Sequence, residues 1–248
     1  WTSQDPGETF FAMGSAPRRG KIEFIEGQTY SLVIEYKWEG RFPAVQIGMQ
    51  APDQFDLMEE ATSLAKEADA VILIAGTNSD WETEGNDRSS LDLPSNQDEL
   101  IEKVCNLNKN TVVVLNTGSP CEMPWVNQAN SILQCWFPGQ EFGNSLSDVL
   151  FGEVNPCGKL PTTFPKKLSD TPAYSTYPGK DLQMDYEEGL FIGYRWYDRE
   201  EIDPLFAFGH GLSYTTFDYS NLRAVPPKGT SSVAAFEVEI TNSGSIAG

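Results

Sequence analysis

The sequence predicts an α/β protein, a mainly parallel sheet between helices (an α/β sandwich), flanked by all-β segments that look cut short. Three observations carry that expectation. Apolar, β-branched runs at 70–75, 111–115 and 129–136 read as strands. Stretches with apolar residues at helical spacing, at 57–68, 97–106 and 144–151, fall before, between and after them, and this βα alternation is the pattern of a parallel sheet. Outside this block the pattern changes to alternation, visible in 21–36 (KIEFIE, then YSLVIEY) and strict in 235–241 (AFEVEIT), the signature of antiparallel strands.

In chain order, 1–51 reads as the tail of a β domain, with a polar Gly- and Pro-rich loop over 7–20. Pro52 breaks that pattern, and the helix at 57–68 leads into the run 70–75, which reads as a strand buried on both faces. Ser95 with Asp98 has capping-box character before the helix at 97–106. Strands at 111–115 and 129–136 are each followed by a Gly- and Pro-containing loop, Thr117-Gly-Ser-Pro and Phe137-Pro-Gly-Gln-Glu-Phe-Gly. Residues 152–178 should be mostly irregular, 191–197 (FIGYRWY) a strand, and 206–217 an aromatic turn region. After Leu222 the chain changes character again, which gives boundaries at 1–51, 52–222 and 223–248.

Composition excludes several function classes. Lys and Arg total 17 against 36 Asp and Glu, a formal net charge of −19, the wrong sign for binding nucleic acid or an anionic membrane surface. No run approaches the roughly 18 apolar residues of a membrane span. Four cysteines (105, 121, 135, 157) form no C-x-x-C pair and there is one histidine, His210, so zinc spacing is absent and no metal site is expected. Free, largely buried thiols are expected, with packing rather than catalysis for His210. A Ser/Cys–His triad lacks partners. The absence of N-x-[ST] acceptors and of paired cysteines leans intracellular, with secretion left open; so is self-association.

Chemistry is expected at the loop after the first buried strand, where parallel sheets place ligand sites. Asp80, Glu82, Glu84, Asp87 and Arg88 cluster there around Trp81. The plain reading of such a run is a solvated, capped turn. The chemical reading is a general acid: beside Trp81, an apolar wall and candidate substrate-binding side chain, and two residues from Glu84, the Glu82 carboxyl has both influences that raise a pKa. Asp87 with Arg88 reads as an ion pair fixing the loop. Glycoside hydrolysis with retention needs two carboxylates about 5–5.5 Å apart, and the residues leave open whether both lie in this loop.

Residues 58–222 resemble the α/β sandwich domain of glycoside hydrolase family 3. The resemblance rests on an ordered series: Glu84-Gly-Asn-Asp-Arg-Ser-Ser-Leu-Asp-Leu-Pro, Thr117-Gly-Ser-Pro with Met123-Pro-Trp, Trp136-Phe-Pro-Gly-Gln-Glu-Phe-Gly and Asp148-Val-Leu-Phe-Gly. It continues through Asn155-Pro-Cys-Gly-Lys-Leu-Pro-Thr-Thr-Phe-Pro, Tyr186-Glu-Glu-Gly-Leu-Phe-Ile-Gly-Tyr-Arg-Trp-Tyr-Asp and Phe208-Gly-His-Gly-Leu-Ser-Tyr-Thr-Thr-Phe. Cys157 stands where the family usually has a small residue. The flanks resemble the end of a protective-antigen-like insert (1–51) and the start of a fibronectin type III-like domain (223–248).

The resemblance implies a fragment of a retaining β-glucosidase acting on terminal, non-reducing β-D-glucosyl residues of a glucoside or oligosaccharide. The general acid/base would come from this loop, and the aspartate nucleophile from a (β/α)₈ barrel that these residues do not contain. Ser79-Asp80-Trp81 superficially matches the tripeptide around that nucleophile, but it follows a sandwich strand. Counting from the strand end favours Glu82 as acid/base, and counting back from Gly-x-Asp-Arg favours Glu84; strand position makes Glu82 the preferred candidate. No cofactor is implied, since two carboxylates suffice. A non-catalytic carbohydrate-binding or interaction module is the alternative, as is a β-xylosidase-type member.

Overall fold

The computed structural model describes residues 20–37, 45, 47–49, 56–84, 87–181, 183–226 and 234–248. Its centre is a three-stranded parallel sheet in the order β1 (Val71–Gly76), β2 (Thr111–Asn116), β3 (Ser131–Gln134). Helix α1 (Leu57–Glu67) precedes β1, α2 (Gln97–Leu107) connects β1 to β2, and α3 (Phe142–Leu150) follows β3. The pairing is in register from Val71 opposite Thr111 to Gly76 opposite Asn116, and from Val112 opposite Ser131 to Leu115 opposite Gln134. All three carboxyl ends therefore lie along one edge of the sheet.

The elements form where the sequence places them because their ends are satisfied locally. Asp56 caps α1, its Oδ1 accepting from the amides of Met58 (2.9 Å) and Glu59 (3.1 Å). At the far end Asn108 donates to the carbonyls of Ala65 (2.9 Å) and Ala68 (2.8 Å), tying the last turns of α1 and α2 together. The start of α2 departs from the expected capping box. Asn96 is the cap residue and makes no side-chain bond. Asp98 instead turns to the core, accepting from Trp125 Nε1 (2.7 Å) and the Leu93 amide (3.3 Å). Gln97 takes over the joining role, accepting from the Gly76 amide (2.8 Å) and donating to the Gly76 carbonyl (2.9 Å), so that α2 is bolted to the end of β1.

The core lies on one face of the sheet. Ala65 of α1 and Ile101, Val104 and Cys105 of α2 pack with Leu73, Ala75, Val113 and Leu115, closed by Met123, Trp125 and Phe164. β2 is the most deeply buried strand, with Val113, Val114 and Leu115 at 0% exposure. β1 differs from expectation: Ile72 (50%) and Ile74 (56%) are exposed, so only its other face is covered. β1 is an edge strand here, and its apolar run reflects two apolar faces of which the described residues cover one.

Two further expectations are corrected. Residues 191–197 do not form a strand; Tyr194–Glu200 is a short helix, α4. Gly189 and Gly193 have φ of 58° and 56°, a left-handed backbone that turns the chain and that no strand interior accommodates. The aromatic run that mimics a strand packs within the turn instead, with the Arg199 guanidinium 4.7 Å from the ring centres of both Phe191 and Trp196. Residues 20–37 run exposed, with a turn at Glu26-Gly27, and pair with no strand among the described residues, where antiparallel strands were expected. Two segments without a third partner make a marginal hairpin at best. Most of the 7–20 loop and Pro52 lie outside the described residues.

At the other end β4 (Phe217–Val225) and β5 (Ala235–Asn242) form an antiparallel pair. β4 starts before residue 222, so the change of character falls within a strand. Asn155 joins this region to the sandwich, bonding Ser213 Oγ (2.8 Å) and the Tyr214 amide (2.8 Å). All four cysteines are free, Cys157 being exposed. The imidazole of His210 packs against Phe206 with ring centres 5.0 Å apart.

Candidate active site

The loops that leave β1, β2 and β3 meet at the sheet's carboxyl edge. Directly after β1, the Asn78 carbonyl accepts from the amides of Trp81 (3.0 Å) and Glu82 (2.8 Å), and its Oδ1 from the Asp80 amide (2.9 Å). This tight turn leaves Trp81 36% exposed and aims Glu82 back at the sheet.

The Glu82 carboxylate accepts three hydrogen bonds from protein donors. Oε1 accepts from Thr77 Oγ1 (2.5 Å) and from the Gly118 amide (3.0 Å), and Oε2 accepts from Ser119 Oγ (3.1 Å). Ser119 Oγ in turn accepts from Arg88 Nη1 (2.8 Å), whose Nη2 donates to the Asp92 carbonyl (3.3 Å). The network reaches β3 through Gln134, which donates to the carbonyl (3.2 Å) and hydroxyl (3.1 Å) of Thr117. Gly118 is required by close approach: a Cβ there would lie 2.6 Å from Glu82 Oε2 and 2.5 Å from Cε2 of Phe137.

The other loop residues are placed differently. Glu84 is exposed, and no hydrogen bond or ion pair joins it to a described residue. Asp87 does not pair with Arg88 as expected; it accepts from the Tyr177 hydroxyl, while Arg88 turns inward to Ser119. The hydrogen bond that the Tyr177 hydroxyl donates to the Asp87 carboxylate raises the phenol above its ordinary pKa. The structure thus gathers Glu82 and Arg88 into one half-buried network and leaves Glu84 and Trp81 at the surface.

Thr77, Gly118, Ser119 and Phe137 were not singled out as site residues in the sequence. The signal was present, because each follows a strand of the parallel sheet, and the site lies where such ends converge. A separate cavity of about 630 Å³, lined by Tyr194, Tyr197, Asp198, Glu201 and Phe208 among others, includes none of the acidic-loop residues. Among the described residues no three His, Cys, Asp or Glu side chains are gathered as metal ligands, and no helix is long and apolar enough to cross a membrane.

The family model of the glycosyl hydrolase family 3 C-terminal domain matches residues 27–214. The chain belongs to glycosyl hydrolase family 3. A beta-glucosidase of Rhizobium radiobacter is 41% identical over 258 residues, covering 100% of this chain and 31% of that protein. A probable beta-glucosidase I of Aspergillus clavatus is 40% identical, covering 99% of this chain and 32% of its own length. The crystal structure of a beta-glucosidase from Kluyveromyces marxianus in complex with glucose superposes with a TM-score of 0.72 at 40% identity, over 79% of this chain and 23% of that one. A beta-glucosidase from Streptomyces venezuelae in complex with D-glucose gives 0.70 at 41% identity, over 75% and 24%. The family 3 chain described here therefore spans about a third of the length of the curated relatives it matches.

Proposed function

We propose that these 248 residues work within a longer retaining β-glucosidase, where they supply the general acid/base for hydrolysis of terminal β-D-glucosyl residues. The nucleophilic carboxylate would lie on a barrel domain outside this chain. In the first step the acid protonates the departing glycosidic oxygen while the nucleophile attacks. In the second, the same group, now a carboxylate, takes a proton from water, which releases the sugar. The names of the relatives, and the glucose held in two of the similar structures, support the choice of sugar.

The acid/base we assign is Glu84. The observation that carries this is the contrast within one loop: Glu82 accepts three hydrogen bonds from protein donors, whereas Glu84 is exposed with no partner among the described residues. A group that must give a proton to a leaving oxygen and then take one from water needs an oxygen facing the substrate. Glu82, the candidate preferred on strand position alone, would first have to surrender its own donors.

The test is azide rescue in the full-length protein. Glu84→Ala should slow hydrolysis of an unactivated disaccharide about 10²–10⁴-fold, the usual contribution of general acid–base catalysis. Azide, a nucleophile that needs no base, should restore turnover of an activated aryl glucoside and yield the β-glucosyl azide. A Glu84→Ala protein with ordinary disaccharide turnover would remove Glu84 from the chemistry.

A further inference from the structure

We infer that Glu82 is a positioning residue that clamps the acid/base loop to the sheet, an inference that rests on the assignment of Glu84 above. The geometry points to this role from both sides of Glu84. Glu82 lies just before it and Arg88 just after it, and both side chains converge on one atom, Ser119 Oγ, at 3.1 and 2.8 Å. Glu84 is thus flanked in sequence by two side chains that stand on the same hydroxyl. Asp87, held by Tyr177, adds a third attachment from outside the sheet.

The hydroxyl itself is fixed. Ser119 sits in the loop after β2, and its carbonyl accepts from Thr117 Oγ1 (2.9 Å), while Thr117 is 0% exposed and bonded to Gln134 of β3. The remaining oxygen of Glu82 binds Thr77, the first residue after β1, and the Gly118 amide. One carboxylate therefore joins the exits of β1 and β2 and, through Thr117, reaches β3. Bonds to a charged acceptor are about twice as strong as neutral ones, which suits a clamp that must hold a loop against solvent.

A clamp and a proton donor respond differently to amide substitution. In Glu82→Gln the amide oxygen still accepts from Thr77 and Gly118. The amide nitrogen faces Ser119, whose oxygen has the capacity to accept from it and from Arg88 together. Geometry survives and the titratable proton does not. Glu82→Ala removes both.

The experiment compares the two variants in the full-length protein on an unactivated disaccharide and on 2,4-dinitrophenyl β-glucoside, whose leaving group departs without protonation. Glu82→Ala should slow the disaccharide about 10²-fold, the scale of an ångström's misplacement of a catalytic group, and slow glucosylation by the activated substrate far less. Glu82→Gln should stay within about 10-fold of wild type on both. Loss of folded protein would lower both substrates equally, so an equal loss overturns the inference. Glu82→Gln as slow as Glu82→Ala, with azide rescue of the latter, makes Glu82 the acid/base and overturns it too.

Amide hydrogen exchange on residues 1–248 separates this from the hydrolase reading. Exchange at Gly118 should accelerate in Glu82→Ala and stay slow in Glu82→Gln; unchanged exchange in Glu82→Ala removes the clamp. An inactive full-length wild type would sink the hydrolase reading, and the catalytic role of the clamp with it, while exchange would still decide whether the clamp exists.

Discussion

Gly118→Ala puts the packing of the site to the sharpest test. The added methyl carbon would stand 2.5 Å from Phe137 Cε2, 3.0 Å from Phe137 Cδ2 and 2.6 Å from Glu82 Oε2. Two neighbours must therefore yield at once. Phe137 is 52% exposed and has room to swing outward, at roughly 0.5–1.5 kcal/mol for a strained rotamer. Glu82 has no such freedom, because moving its Oε2 weakens the Ser119 bond, and hydrogen bonds to charged groups contribute about 1.5–3 kcal/mol. Because the Ser119 bond is weakened rather than lost, only part of that contribution adds to the rotamer strain, which gives about 2 kcal/mol as the working value, inside the ~1–3 kcal/mol typical of overpacking. In a domain of this size each kcal/mol moves the melting temperature by about 2–4 °C, so Gly118→Ala should melt about 4–8 °C lower. Calorimetry or thermal circular dichroism reads this directly. Repeating the substitution in a Phe137→Ala background should reduce the loss by at least about 0.5 kcal/mol, since one of the two clashes is gone. A Gly118→Ala protein melting within about 1 °C of wild type would refute the placement of both side chains.

Stability should also fall on the alkaline side. Burial pushes the Cys121 thiol from 9.0 up to about 12, and the Tyr197 phenol from 10.0 up to about 12. Above pH 9 the unfolded chain therefore releases a Cys121 proton that the folded chain keeps, and stability declines by up to about 1.4 kcal/mol per pH unit until pH 12. Urea midpoints measured from pH 8 upward should show this slope, and Cys121→Ala should make it shallower, with the Tyr197 contribution remaining above pH 10. Gly76→Ala should be worse than Gly118→Ala, because its Cβ would lie 2.1 Å from the Asn116 carbonyl oxygen, a backbone atom that cannot swing away; a cost above about 3 kcal/mol is expected, and a soluble variant with normal exchange at Asn116 would contradict the register of β1 on β2.

The sheet was legible because periodicity and burial coincide there. Val113, Val114 and Leu115 are apolar and fully buried, and the strand written into TVVVL follows from that alone. FIGYRWY misled because aromatic residues favour strands in general, whereas the local backbone is set by Gly189 and Gly193. The buried-on-both-faces reading of β1 assumed that every apolar side chain finds a cover, and Ile72 and Ile74 do not find one among the described residues. At the candidate site, the loop could be located from the end of β1, but the different settings of its two glutamates could not. Glu82 and Glu84 are the same residue type two positions apart, and what separates them is three donors, two of which, Gly118 and Ser119, are remote in sequence.

The way Glu82 is held also governs when the site comes into being as the chain folds. Gly118 and Ser119 reach Glu82 only after β2 has docked on β1, and the loop after β1 and the whole of α2 lie between those strands. Closing that length of chain opposes pairing until the strand contacts form, which makes parallel pairing a slow step. The acidic loop therefore does not order early as a local turn would. It gains its shape in the same cooperative event that buries Val113 and Leu115, and any opening that lifts β2 from β1 dissolves it. A surface loop should thereby share the exchange behaviour of the deepest strand, and a partly folded chain exposes its apolar sheet before the acidic loop is organised.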